Sequence, residues 1–272
     1  MALAPVADAC FWNAISFSDH VVHPEEISTP YPYTEDGQRR WPAFTDWPDP
    51  WVTIGALAAT TQQIRFTNNV FVLPMRNPFM AAKAIGTAAV LSHNRVTLTI
   101  GVGWSPDEFA IVEQSFTNRG KRTDEMIEIL KLLWSGEMVA FDGKYYQFDR
   151  LEMNPAPTAP IPIWVGGISD AALRRAARLG DGWLTDLQSS EDIVKSIDKI
   201  NQYRVEYGRD HLPFDVMATP VDAWTASAFS KLEEKGVTHI MTLPWLFYHG
   251  ETNDVELKKD GIKRYAEEHF SL

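Results

Sequence analysis

Along this chain the spacing of apolar positions switches repeatedly between two residues and 3.6 residues, which predicts strands alternating with helices. After a helical opening to about residue 12, ISFSDHVV (15–22) reads as a strand running into a polar tip at Asp19-His20. Residues 23–48 are rich in Pro, Tyr and Trp and have no period, so they predict a lid or binding loop. Asp49-Pro50 supplies a capping residue and a first-turn proline for the helix WVTIGALAATTQ. RFTNNVFVLP (65–74) reads as a strand and PFMAAKAIGTAAVLS (78–92) as a helix. RVTLTIGVG (95–103) is a near-continuous apolar strand of the kind buried on both faces. PDEFAIVEQ (106–114) and RTDEMIEILKLLWSG (122–136) follow as helices, the second placing Met126, Leu130 and Leu133 on one face and stopping at Gly136. In MVAFDGKYYQFD (138–149), Asp142-Gly143 lies between two alternating arms and predicts a hairpin excursion. IPIWVGG, GWLTD, FDVMATP and THIMTLP read as four more strands, alternating with helices at 170–179, 190–206, 222–235 and about 254–269.

Strand and helix repeat without a linker or a change of composition, which predicts one α/β domain over 1–272 with a parallel sheet. Seven such strands are countable. An eight-stranded barrel begins with a strand, and here a helix comes first, so the pattern fits a TIM (β/α)8-type barrel lacking or replacing its first strand. A doubly wound open sheet accommodates the same seven strands.

Composition narrows the partners. The formal charge of −11 argues against nucleic acid or an anionic membrane surface, both of which need a basic footprint. A small-molecule substrate remains. The one cysteine, Cys10, excludes an intrachain disulfide and a cysteine-built metal cluster, and is consistent with the cytoplasm. No apolar run reaches the length of a membrane span, and the start carries an acid and no base, unlike a secretory signal.

In either architecture ligands bind at the carboxyl ends of the strands. Asp19-His20 offers a proton donor or acceptor near neutral pH, against the plainer reading of a histidine held by loop backbone. His23 is near, but no HExxH or carboxylate set completes a metal site. Asn68-Asn69 interrupts an apolar strand with two amides, one toward each face, and predicts a bulge or a ligand contact. GVGWSPDEF (101–109) sets glycines at a close approach and then Trp104, a stacking wall for a flat ring or ordinary packing. Asp107 suits the helix dipole without any catalytic role; Glu108 stays open between the two. Gly166-Gly167 at a strand tip, with Ser169 to cap the next helix, has the physics of an anion cradle. Asp170 would oppose an anion unless turned to solvent, and Arg174, Arg175 and Arg178 fall on the outer face, away from the tip.

Taken together, SDHVV, NNVFVLPMRNPFMAAKAIGTAAVLS, RVTLTIGVGWSPDEF, FTNRGKRTDEMIEILKLLWSG, FDGKYYQF and PIWVGGISDAALRRAARLGDGW resemble the bacterial-luciferase-like family of flavin and deazaflavin oxidoreductases. The resemblance is close to continuous from about residue 14 to 185, and the subgroup it is most similar to uses the deazaflavin coenzyme F-420. It implies a TIM barrel, usually a homodimer, with the cofactor ring at the strand tips. Members of that family begin one strand earlier. Position by position, the resemblance implies that Asp19 and His20 flank the ring's reactive edge. It implies that Asn69-Val70 forms a bulge, often with a non-proline cis peptide, behind one ring face. Gly103 and Trp104 would lie beside the ring, and Gly166, Gly167 and Ser169 would receive the cofactor's tail and phosphate.

The reading that follows is hydride transfer between bound coenzyme F-420, or FMN, and a small organic substrate. His20 would move the proton, Asp19 would orient it, and Trp104 with the 23–48 loop would wall the pocket. Alternatives are an FMN-dependent monooxygenase using oxygen, a shortened flavin-binding remnant without catalysis, and a barrel that uses the phosphate site for a phosphorylated metabolite.

Overall fold

The computed structural model describes residues 1–270. Its strands are β1 (Ala14–Phe17), β2 (Arg65–Asn68), β3 (Phe71–Val72), β4 (Leu98–Gly101), β5 (Val139–Asp142), β6 (Gln147–Leu151), β7 (Ile163–Gly166), β8 (Gly182–Gln188), β9 (Asp215–Pro220) and β10 (His239–Ile240). The helices are α1 (Ala4–Ala9), α2 (Pro50–Ala58), α3 (Pro78–Leu91), α4 (Pro106–Ile111), α5 (Arg119–Leu133), α6 (Asp170–Leu179), α7 (Ser190–Glu206), α8 (Ala226–Glu233), α9 (Leu246–His249) and α10 (Val255–His269). Two compact units contain them. The first comprises Met1–Ser16, Ala56–Thr67 and Pro162–Leu272, and the second Phe17–Gly55 and Asn68–Ile161.

In the first unit β7, β8, β9 and β10 lie side by side as parallel neighbours, with Val165 opposite Trp183 and Leu184 opposite Met217. Ile163, Val165, Trp183, Leu184, Val216 and Ala218 are buried, as strands covered on both faces require. Asp8 of α1 ties this unit together at a distance in sequence. Its buried carboxylate accepts the amides of Gln62, Gln63 and Ile64 at 2.7–2.9 Å, fixing the chain just before β2. No helix among the described residues is long and apolar enough to cross a membrane.

In the second unit β3 and β4 pair in parallel, and all four residues of β4 are buried. The helices begin where their local chemistry says. Asp49 accepts the Trp51 and Val52 amides at the start of α2, and Asn77 accepts those of Phe79 and Met80 at α3. Met126, Leu130 and Leu133 of α5 are buried on one face as expected, though the helix starts at Arg119, before residue 122.

Several predicted elements take a different form. The strand expected over 65–74 is broken: β2 ends at Asn68, the Asn69–Val70 peptide is cis, and β3 gives way to a 3-10 turn at Leu73–Met75. The strand expected over 15–22 stops at Phe17, because side-chain partners hold Asp19 and His20. The hairpin exists, but Asp142 pairs with Gln147, so its loop is the four residues 143–146 rather than a two-residue turn. A tertiary contact explains this. The Glu125 carboxylate accepts the amides of Lys144, Tyr145 and Tyr146 at 2.8–3.1 Å and caps the wider loop. The last expected strand shortens to His239–Ile240; Pro244 has no amide for a ladder, and the short helix α9, unforeseen, follows. The helix predicted over 222–235 is α8, which begins one residue after its cap, Thr225.

Candidate active site

The polar tip after β1 belongs to the second unit, and its two adjacent side chains serve different partners. Asp19 is almost wholly buried, and both carboxylate oxygens bond the Arg76 guanidinium at 2.6 Å, one of them also accepting the Val72 amide at 2.9 Å. A forked, charge-assisted pair of this kind fixes direction as well as distance. It pins the β1 tip to the segment after β3. The expectation that Asp19 orients His20 is therefore corrected: Arg76 and the Val72 amide occupy its oxygens.

Glu108 orients the imidazole instead. It stands in the first turn of α4, whose N-terminus Ser105 caps by accepting the Glu108 amide at 3.3 Å. Its buried carboxylate meets His20 Nδ1 at 3.1 Å and accepts the Val21 amide at 3.2 Å. A carboxylate accepts from a ring nitrogen, so Glu108 directs a proton to Nδ1 and leaves Nε2 on the ring's other side. Nε2 has no hydrogen-bond partner among the described residues. Trp41 and Trp47 bracket the ring, with centroids 4.6 and 4.9 Å away.

His20 lines a cleft of about 750 Å³ with Val21, Val22 and residues of the predicted 23–48 loop, among them His23, Arg39, Trp41 and Trp47. Burial holds the His23 imidazole below its usual range, and the charge of Arg39 adds to this. The loop is latched from α4 as well. Asp107, next to Glu108, accepts the Ser28 amide at 2.8 Å and its hydroxyl at 3.1 Å. The two neighbouring acids thus hold the histidine and the loop beside it.

The remaining predicted residues of this unit behave unequally. Trp104 is half-buried and meets Tyr31 edge-on at 5.1 Å, and with His20 and Glu108 it lines a small pocket beside the cleft. Gly103 has φ +79°, and a Cβ there would come within 2.7 Å of Phe109 and Val72. Its close approach is to the protein's own core. The space beside Gly101 is likewise filled by the side chain of Val70. Asn69 donates its amide to the Phe17 carbonyl, and Asn68 is fully buried with neither side-chain polar atom hydrogen-bonded.

In the first unit, β7 ends at Gly166 and Gly167 adopts φ +119°, which a side chain would resist. The Gly167 amide donates to the Leu184 carbonyl at 3.2 Å, and its own carbonyl accepts the Trp183 indole at 2.8 Å. This glycine shapes the corner, and its N–H does not face outward as a cradle would need. Ser169 caps α6 by accepting the Ala172 amide at 3.3 Å, so its hydroxyl proton remains available for another acceptor. Asp170 is turned to solvent, where hydrogen bonds from Tyr203 and Arg174 hold its carboxyl below the usual range. The arginines differ from the expectation in one case: Arg174 is half exposed and paired with Asp170, whereas Arg175 is buried. Where Gly182 opens β8, the Trp164 indole occupies the space a Cβ would need, so close strand packing accounts for that glycine.

The sequence left Glu108 open and did not single out Arg76; the structure places both against the side chains of the β1 tip. The one available signal was the acid pair at the start of α4, which the helix dipole alone would explain.

Known proteins resemble this chain in sequence and in fold. The family model described as luciferase-like monooxygenase matches residues 21–268. A Mycobacterium tuberculosis protein described as uncharacterized is 35% identical over 268 residues, 97% of this chain and 92% of its own length. The F420-dependent glucose-6-phosphate dehydrogenase of Nakamurella multipartita is 31% identical over 188 residues, covering 67% of this chain and 50% of that protein. In fold, the chain is similar to a solved F420-dependent secondary alcohol dehydrogenase in complex with an F420-acetone adduct, with a TM-score of 0.75, 16% identity, and coverage of 98% of this chain and 92% of that one. The α/β architecture with parallel strands is that of the luciferase-like TIM-barrel enzymes. The cofactor type of the family is a flavin or a deazaflavin. This chain belongs to the luciferase-like monooxygenase family of oxidoreductases.

Proposed function

We propose that this protein transfers hydride between a bound deazaflavin of the F-420 type, or FMN, and a small organic substrate at the cleft beside His20. The observation that carries the reading is the His20–Glu108 pair: a buried carboxylate fixes one ring nitrogen and leaves the other unengaged at the edge of a large cleft. The cleft fits such a ligand. Binding sites for cofactor-sized molecules span about 300–1,000 Å³ and are walled by aromatic groups around a few fixed polar ones. Trp41 and Trp47 supply flat walls here, and the cleft falls within that range.

When bound, either cofactor supplies the hydride-exchanging ring, chemistry that no protein side chain offers. This chain's own residues do the rest. His20 Nε2 takes the proton of a substrate hydroxyl, or returns it to a carbonyl oxygen, which makes His20 the catalytic residue. Glu108 is a positioning residue: it holds the imidazole and stabilises the charge the ring acquires with the proton. Asp19, through Arg76, keeps the β1 tip where His20 can work. Trp41, Trp47 and Trp104 keep water from the reacting atoms. We assign Asn69, Val70 and Gly103 to the backbone beside the ring. In the first unit, Ser169 and the N-terminus of α6, at the corner shaped by Gly166 and Gly167, would receive a phosphate.

Titration of the purified protein with F-420 and with FMN, followed by ring fluorescence and absorbance, tests the reading. Saturable binding of one of them, with turnover of an alcohol or ketone from a substrate panel, is expected. Binding of neither would remove the redox function. FMN binding with oxygen-dependent product formation would replace the dehydrogenase reading by the monooxygenase one.

A further inference from the structure

We propose that Arg39 is the oxyanion receptor for the substrate, so that the molecule transformed beside His20 carries a carboxylate or a phosphate. This deepens the oxidoreductase reading and rests on it for the reaction, though not for the binding. Arg39 lines both the cleft and the smaller pocket next to it, and His20 lines the same two. Its guanidinium has five N–H donors. Two of them donate to backbone carbonyls, those of Pro24 at 2.7 Å and Glu25 at 3.2 Å. Three are left without an acceptor among the described residues. Those two bonds hold the fork in place before any ligand arrives.

Arg119 and Arg122 of this unit also bond only oxygens of carbonyls and an amide, but what sets Arg39 apart is that it lines the cleft with three donors still open. Elsewhere in the second unit the cation facing a functional acid is matched: Arg76 pairs with Asp19. Arg39 forms no ion pair among the described residues. Glu25 lines the same cleft but gives Arg39 its carbonyl, not its carboxylate, and the Glu108 carboxylate is held by His20 and the Val21 amide. A fixed guanidinium with open donors in a cleft, beside a catalytic imidazole, matches the planar geometry of a carboxylate or the oxygens of a phosphate. Burial, and after it the charge of Arg39, pushes the His23 imidazole on the same wall below its usual range, and this ring adds a hydrogen-bonding group beside the guanidinium.

The test is binding of small probes to the full-length protein, read by quenching of the cleft tryptophans, with and without saturating F-420 or FMN. Lactate and glycerol 3-phosphate are compared with lactamide and glycerol, which keep the hydroxyl and lose the charge. The anions should bind saturably and the neutral partners about 10- to 100-fold more weakly, the worth of hydrogen bonds to a charged group. Whichever anion binds more tightly names the oxyanion. Arg39→Gln should erase that preference, and Arg39→Lys should keep part of it, while the melting temperature of both variants checks that the loop is intact. Equal affinity for charged and neutral probes, or equal loss in the Lys and Gln variants, would overturn the proposal. Loss of anion binding on saturation with cofactor would assign Arg39 to the cofactor's own phosphate, and equally overturn it. Anion binding without cofactor binding would keep Arg39 as a receptor while removing the redox function; cofactor binding without anion binding would do the reverse.

Discussion

The strand tip at Asp19-His20 and the strand tip at Gly166-Gly167 are built by opposite means. The first is made of side chains, each held by a charged partner far away in sequence: Glu108 lies 88 residues from His20, and Arg76 57 from Asp19. The second is made of backbone, shaped by a glycine at φ +119° and closed by a serine three residues or fewer from everything it holds. Side chains can titrate and so can move protons. Backbone amides cannot, but they are fixed without loss of rotamer freedom. The difference teaches where catalysis and where binding should fail on substitution.

The sharpest break in that comparison is His20→Ala. Turnover should fall about 10²- to 10⁴-fold, the range for losing a positioned acid or base, with cofactor affinity unchanged. Glu108→Ala should lower kcat about 10²-fold by releasing the ring from its orientation, with a smaller change in KM. Steady-state kinetics and cofactor titration check both; unchanged turnover in His20→Ala would place the chemistry elsewhere.

Next comes Arg76→Ala. It strands a carboxylate that is 1% exposed, which should lower stability by about 3–5 kcal/mol, measured by denaturant unfolding. Arg76→Lys should restore part of it. At the other tip, Gly167→Ala should cost about 1–3 kcal/mol, because φ +119° is unfavourable for any side chain and the new Cβ would come within 3.2 Å of Ala172. Loss of cofactor affinity should accompany it, with the rate constant for bound substrate unchanged; a kcat effect larger than the affinity effect would contradict a backbone-borne binding role.

The smallest effect concerns pH in the first unit. His239 packs on Trp164 with ring centroids 5.2 Å apart, and burial first, then Arg65, lowers its pKa from 6.5, with Asp215 opposing. A histidine with a lowered folded-state pKa is neutral when folded, while the unfolded chain takes up the proton first. Stability is therefore full above about pH 6.5 and declines as the pH falls below it. His239→Gln should flatten that decline in melting temperature between pH 5 and 8.

Much of the fold was legible because it depends on local chemistry. Caps at Asp49 and Ser169, the apolar run of β4 and the buried face of α5 follow from neighbours within one or two turns. The break in the 65–74 strand falls at Asn69–Val70, where the amide pair and the resemblance placed it. Two failures share one cause: the hairpin turn gave way to three amides on Glu125, and the 15–22 strand ended where Asp19 and His20 found Arg76 and Glu108. Each is a long-range polar bond overriding a local preference.

The sequence by itself determined the alternation of strand and helix, the family resemblance, and the two residues at each tip whose type already suggested a role. His20 and the glycine pair were visible because titratable rings and permissive backbones are properties of single residues. Only the tertiary structure decided which acid serves which base. Asp19 sits beside His20 in the chain and holds Arg76 instead; Glu108 stands a helix away and takes the imidazole. It also showed Arg39 without a carboxylate, a property no residue has alone. Covalent neighbours in an extended tip point to opposite sides, so partnership there is set by what folding brings to each side.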